Sequence, residues 1–199
     1  MPILNPAPSW TNPRARYLEL WHGCTTDDKN DIESQGIDPL KGRPNTDFGR
    51  GFYTTTLERQ ARHWAWARYY DPKFSRATGV QPVVLHFTVD RHKLAKLQSL
   101  CFTIGDYDYE DFWSLVQHCR QSTPPSDPPP RLVNDHLGPV NESGQWYDIV
   151  CGPVAAFWDQ RSAMNDADQI SFHTKKAAKV LNGLMKSKNQ KHYDWRVAT

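Results

Sequence analysis

Apolar side chains recur along this chain in two rhythms, one of strands and one of helices. Tyr17 to Trp21 alternates well enough to predict a strand running into His22. Asp27 to Gln35 predicts a short helix, with acidic residues in the first turn facing the positive end of the helix dipole and Gly36 as its stop. A second helix is expected over roughly Leu57 to Tyr70, carrying Leu57, Ala61, Trp64, Ala65 and Arg68 along one face. Thr55 or Thr56 is placed to cap it, and Thr55 with Glu58 has capping-box spacing. Val83 to Val89, ended by Asp90, is the strongest strand signal. Phe112, Trp113, Val116 and Cys119 repeat at helical spacing within Tyr109 to Arg120. Trp146 to Ala155 and Gln169 to Thr174 predict further strands, and Thr174 is placed to cap a helix over about Lys175 to Met185.

The stretches between these elements are punctuated by proline and glycine. Pro2, Pro6, Pro8 and Pro13 mark residues 1–16 as an irregular arm, and Lys41 to Gly51 reads as a loop. Gln121 to Pro130 holds five prolines in ten residues and reads as a surface spacer. No internal repeat is visible. Helices fall early, in the middle and near the end, without βαβ alternation, so the expected class is a sheet-rich α+β domain spanning 17–199. A chain of 199 residues can bury a core of useful size as one domain.

Composition adds limits. Hydrophobic residues at 38% and charged residues at 23% describe a polar but folding chain. A formal charge of +2 gives no footprint for nucleic acid or a membrane surface. The lysine-rich run from Lys175 to Lys191 reads as a solvated helix face. Cys24, Cys101, Cys119 and Cys151 are widely spaced, with no C-x-x-C pair and no apolar leader after Met1. Free thiols in a reducing, cytoplasmic compartment are therefore expected, although unconventional export as an effector would leave no trace. No apolar stretch approaches the ~18 residues of a membrane span. Eight tryptophans suffice for both a core and a stacking site.

Candidate chemistry is densest between Leu20 and Ala65. A pocket for a flat, polar-edged ring such as nicotinamide must grip the carboxamide, stack on the ring and orient the ribose. The backbone of Gly23 suits the first task, because close approach needs a residue without a side chain. Tyr53 and Trp64 supply ring faces for the second. His22 suits the third, donating to a ribose hydroxyl from one ring nitrogen while a neighbour fixes the other. Gly51 shapes the turn before Tyr53, and Arg50 is a candidate for the pyrophosphate.

Leu20-Trp21-His22-Gly23, the segment ending in Gly36, and Phe48-Gly49-Arg50-Gly51-Phe52-Tyr53 resemble the NAD-binding half of poly- and mono-ADP-ribosyltransferases of the diphtheria-toxin-like branch. The spacing from Tyr53 to Trp64 is similar to that of the branch's second ring-stacking aromatic. With Trp146 to Ala155 and Gln169 to Thr174 included, the whole resembles more closely a bacterial and fungal family assigned to the same superfamily. The resemblance covers about Tyr17 to Asn182. It implies a split, twisted β-sandwich, NAD as substrate and no metal. It places His22 and Tyr53 in the first two positions of a His-Tyr-Glu triad, with Gly23 on the carboxamide and Trp64 completing the aromatic sandwich.

The third position falls at Gln169, where the transferases usually have glutamate. A glutamine accepts a hydrogen bond through its amide oxygen but brings no charge. Hydrogen bonds to charged groups contribute ~1.5–3 kcal/mol against ~0.5–1.5 for neutral ones, so the change costs roughly ten-fold in rate. Asp148, Asp166 and Asp168 are candidates to supply the missing charge, although Asp148 reads better as a carboxylate fixing a loop. The implied activity is transfer of one ADP-ribose to a protein acceptor, ahead of a nucleic-acid one, with release of nicotinamide. NAD hydrolysis and a non-catalytic NAD or ADP-ribose module are the alternatives. Ala167 stands where the arginine-modifying branch carries Glu or Gln, which leaves the acceptor open. His22 with Cys24 shows no zinc spacing and no activating partner beyond the histidine itself, and no Rossmann fingerprint follows a strand.

Overall fold

The computed structural model describes residues 16–71, 79–102, 109–121, 147–164, 166–185 and 192–194. Residues 1–15 of the expected arm, 122–130 of the proline-rich segment, Trp146 and 186–191 of the lysine-rich run lie outside them. The described chain is a mixed α+β structure on two sheets. The first has the order β1 (Tyr17–Thr25), β3 (Pro82–Asp90), β7 (His192–Asp194), all antiparallel. The second has the order β2 (Phe52–Thr54), β6 (Asp168–Phe172), β5 (Ile149–Pro153), β4 (Ser99–Cys101), with β4 and β5 parallel. Five α-helices accompany them among the described residues: α1 (Thr26–Gln35), α2 (Glu58–Tyr70), α3 (Arg91–Leu94), α4 (Tyr109–Gln121) and α5 (Lys175–Met185).

Three apolar layers hold the sheets in place. Leu20 and Cys24 of β1 and Val83, Leu85, Phe87 and Val89 of β3 meet Phe52, Ile149, Ile170 and Phe172 of the second sheet, together with Ala177 and Leu181 of α5. The opposite face of the second sheet, through Val150 and Tyr53, packs on Phe48, Phe102 and the α4 residues Phe112, Trp113 and Val116. The outer face of the first sheet takes Ala61 and Ala65 of α2 against Val84. Each fully buried Val, Leu, Ile or Phe contributes roughly 1.5–3 kcal/mol, so these layers dominate the fold.

Local sequence explains where the helices begin. The Thr25 hydroxyl accepts from Asp28 N–H (3.3 Å) while the Asp28 carboxylate accepts from Thr25 N–H (3.1 Å), a complete capping box for α1. Arg68 of α2 then clamps the same carboxylate with two bonds of 2.7 and 2.8 Å, and burial works against this while the arginine holds the Asp28 pKa below its ordinary value. Thr174 caps α5 as expected, accepting from Ala177 N–H at 3.1 Å. The expected capping box of Thr55 with Glu58 does not form. Instead Thr55 accepts from Leu57 N–H (3.1 Å), and the N-terminal turn of α2 is tied to Asp168 of β6.

Two boundaries and the state of two cysteines differ from the sequence reading. β1 runs on to Thr25, so His22 and Gly23 lie within a strand and not at its end. β5 starts at Ile149, leaving Asp148 in the turn before it. The expectation of four free thiols holds for Cys24 and Cys119, both buried, and fails for Cys101 and Cys151. Those two stand opposite each other in the parallel β4–β5 register, with Cα atoms 4.6 Å apart and the sulfurs joined. No helix among the described residues is long and apolar enough to cross a membrane.

Candidate functional site

Among the described residues, the backbones of the two sheets join at one bridge and then part. Trp21 N–H donates to the Thr55 carbonyl (2.8 Å) and Thr55 N–H to the Trp21 carbonyl (2.9 Å). In an antiparallel ladder the next pair would be Gly23 with Tyr53, because each strand advances two residues. That pair is not made. The imidazole of His22 reaches across, and its Nδ1 lies 2.6 Å from the Tyr53 carbonyl oxygen. By the same alternation, Gly23 N–H and C=O point toward this gap, as those of Trp21 do, and no described residue takes them up.

A carbonyl can only accept, so Nδ1 carries the proton and Nε2 is the open, accepting nitrogen. Burial lowers the His22 pKa to about 4 against the opposing pull of the Tyr53 hydrogen bond, so the ring is neutral at physiological pH. With Nδ1 donating to Tyr53, the other ring nitrogen of neutral His22 can accept a hydrogen bond but not donate one, whereas a donor was expected there. Phe52 supports the imidazole, ring centroids 4.3 Å apart.

Gly23 is constrained on its other side as well. A Cβ there would fall 2.0 Å from the Ala61 carbonyl oxygen and 2.7 Å from Ala65 N, so α2 packs backbone against backbone on β1. Trp64 sits on the turn between those alanines but does not share their burial. It is 50% exposed, with His63 as its ring neighbour (6.4 Å), so the expected apolar stripe narrows to the two alanines.

Tyr53 is held by its hydroxyl. The oxygen accepts from Thr46 Oγ1 (2.8 Å) and Phe48 N–H (3.0 Å) and donates to the Gly49 carbonyl (2.7 Å). Burial pushes the phenol well above the ordinary tyrosine range, so it stays protonated. Arg50 donates to the Leu40 carbonyl (3.0 Å) from an exposed position, and its own carbonyl accepts from His173 Nδ1 (2.7 Å). A side chain at Gly51 would be tight: a Cβ would lie 3.0 Å from the His173 ring.

Gln169 is buried, directly opposite Gly152 in the β5–β6 register. Its amide nitrogen donates twice, to Asp47 Oδ2 (2.6 Å) and to the Pro153 carbonyl (2.8 Å). Asp47 is buried too, and accepts Arg120 Nε (2.8 Å), Arg120 Nη2 (2.5 Å) and Ala155 N–H (2.9 Å). Strand alternation places Tyr53 and Gln169 on the α4-facing side of the second sheet, whereas Phe52, under the His22 ring, faces the first sheet. His22 and Tyr53 thus meet through a backbone carbonyl, and Tyr53 and Gln169 share a sheet face.

The reserve carboxylates have other employment. Asp168 accepts Thr55 Oγ1 (2.5 Å), Thr56 N–H (2.9 Å) and the Thr56 hydroxyl, while Gln60 brackets its backbone through Asp168 N–H (3.1 Å) and Asp168 C=O (2.6 Å). Asp148 accepts Thr174 Oγ1 (2.5 Å), Gln98 N–H (3.0 Å) and Lys176 Nζ (3.0 Å). Burial opposes this charge, yet those bonds hold its pKa below the ordinary value, as a loop-fixing carboxylate requires. Asp166 has positive φ and gives its carbonyl to Arg59 (3.2 Å).

Sequence reasoning missed the acid that does touch Gln169. Asp47 opens the very block that carries Tyr53, but its partners lie 73 and 122 residues away, and no local spacing signals them. The only hint was an acidic residue directly before the apolar Phe48. Among the described residues no group of three or more His, Cys, Asp or Glu could hold a metal ion.

Fold and site define a two-sheet α+β domain whose sheets separate at a histidine-bridged split. Residues 18–164 match the family described as Protein of unknown function (DUF3990), and the chain belongs to that family. No curated protein and no solved structure matches it.

Proposed function

We propose that this chain is an ADP-ribosyltransferase-like split β-sandwich that binds NAD at the gap between β1 and β2 and transfers ADP-ribose to a protein acceptor. The observation that carries the reading is the missing Gly23–Tyr53 pair, bridged by His22 through its Nδ1. It supplies an unpaired peptide N–H and C=O for the carboxamide and a neutral Nε2 to accept a ribose hydroxyl, with the anchored Tyr53 ring beside the same gap on the α4-facing side of the second sheet. The bond from nicotinamide nitrogen to ribose C1′ breaks with its electron pair leaving on nicotinamide. An acceptor side chain then bonds to C1′ and gives up a proton. The Gln169 Oε1 accepts the ribose 2′-OH in this arrangement, and Trp64 covers the exposed side of the nicotinamide.

The test is full-length chain with labelled NAD and a cell lysate. Label on at least one macromolecule, abolished by His22→Ala, is the expected result. A protein that binds NAD but labels nothing and releases no nicotinamide would sink the reading. NAD hydrolysis is the second reading, favoured by the uncharged Gln169. Nicotinamide release over many turnovers, with no dependence on lysate, selects it.

A further inference from the structure

Gln169 occupies a position built for an amide and closed to a carboxylate. Its nitrogen faces two acceptors at once, Asp47 Oδ2 at 2.6 Å and the Pro153 carbonyl at 2.8 Å, and only an NH2 group can satisfy both. A glutamate oxygen in its place would face a carboxylate and a carbonyl with nothing to donate. Each oxygen of Asp47 is fully committed. Oδ1 takes both Arg120 bonds from α4, and Oδ2 takes Ala155 N–H and Gln169. The buried carboxylate is therefore matched by hydrogen bonds on both oxygens, while the Arg120 side chain remains partly exposed; a buried charge so matched holds its geometry. With its nitrogen locked, the Gln169 amide cannot flip, and Oε1 is the atom left without a described partner.

The same short segment also holds Tyr53. Thr46 and Phe48, on either side of Asp47, bond the Tyr53 hydroxyl at 2.8 and 3.0 Å, and Gly49 accepts from it. One turn thus sets two of the residues placed at the proposed site.

We infer that Asp47, gripped by Arg120, is a positioning residue that orients Gln169 with its amide oxygen toward the sugar of the substrate, and that glutamine at 169 is the residue this turn demands. The inference rests on the NAD-cleaving reading above and names the group that makes it work without a glutamate. Asp47 itself touches no substrate.

The experiment is steady-state nicotinamide release by the full chain for wild type, Asp47→Asn, Gln169→Ala, the Asp47→Asn/Gln169→Ala double variant and Gln169→Glu. Thermal unfolding is followed for each. Asp47→Asn is expected to lower kcat at least ten-fold with KM changed less than two-fold, because His22 and Gly23 are untouched. In the Gln169→Ala background the same substitution should change kcat less than two-fold. Gln169→Glu is expected to fall below wild type, not above it. Equal losses from Asp47→Asn in both backgrounds, or a gain in Gln169→Glu, would overturn the inference while leaving NAD cleavage standing. No release by wild type removes both. Should Asp47→Asn fail to fold, Arg120→Lys replaces it: loss of the bidentate grip should lower kcat in the wild type and not in Gln169→Ala, and equal losses in the two would again count against the inference.

Discussion

His22 Nδ1 and the Tyr53 carbonyl oxygen, 2.6 Å apart, stand where a strand ladder would otherwise continue. One side chain thereby does two jobs: it closes the split between the sheets and fixes its own tautomer. The substitution His22→Asn separates them, since an asparagine amide can still donate to that carbonyl but has nothing at the position of Nε2. Nicotinamide release is expected to fall roughly 100-fold, the scale of a positioned polar group in catalysis. The melting temperature should change little. His22→Ala should lose both, because the carbonyl is then left unpaired at a cost of about 1–3 kcal/mol. Full activity in the asparagine variant would take His22 out of the chemistry.

The glycine beside it is fixed by sterics as much as by function. Gly23→Ala drives a methyl group onto the Ala61 carbonyl, 2.0 Å away, and toward Ala65 N at 2.7 Å. Neither is the end of a flexible side chain, so α2 must move off β1. We expect a loss of about 3 kcal/mol or more, the upper range for overpacking, measured by urea denaturation. An alanine variant as stable as wild type would mean that α2 does not pack on β1 as closely as described.

Two histidines, His173 buried and His22 half-buried, tie stability to pH. Burial lowers both His22 and His173 to about 4, against hydrogen bonds to the Tyr53 and Arg50 carbonyls that pull the other way. Unfolded histidine titrates near ~6.5. Between these values the unfolded chain binds more protons than the folded one, so stability is fully present above about pH 6.5 and is lost as pH falls toward 4. Each histidine contributes up to about 3 kcal/mol over that window. Urea unfolding between pH 4 and 8 should show the decline. NMR of the imidazole Cε1 protons should show two rings that do not titrate above pH 5. Two ordinary titrations near 6.5 would contradict their burial.

The fold class was legible because long periodic segments announce themselves: Tyr17 to Trp21, Val83 to Val89, the helix over 109–121 and the Thr174 cap all appear with boundaries within a few residues. The short strands Phe52–Thr54, Ser99–Cys101 and His192–Asp194 did not, since three residues carry no readable period. Individual site positions could be nominated from Trp21-His22-Gly23 and Gly51-Phe52-Tyr53. Their connections could not. Asp168 was a candidate for the missing charge, yet it holds the residues that lead into α2, accepting from Thr56 N–H more than a hundred residues away in the chain. Cys101 and Cys151 meet only because a parallel register aligns strands 50 residues apart. Long-range pairing of this kind is a property of topology, which local spacing does not encode.

Trp64 offers the sharpest separation of stability from binding. At 50% exposure its indole contributes little to the core, so Trp64→Ala is expected to shift unfolding free energy by no more than about 0.5 kcal/mol, as for most surface substitutions. It lies on α2 between Ala61 and Ala65, the two residues that seat that helix on Gly23. A ring that stacks on nicotinamide there is worth about 1 kcal/mol, so KM for NAD should rise roughly five-fold in Trp64→Ala and recover largely in Trp64→Tyr, with kcat changed less. The pairing of unchanged stability with altered KM is what a core residue could not produce. Unchanged stability together with unchanged KM would leave the indole as an ordinary surface aromatic and would remove it from the site.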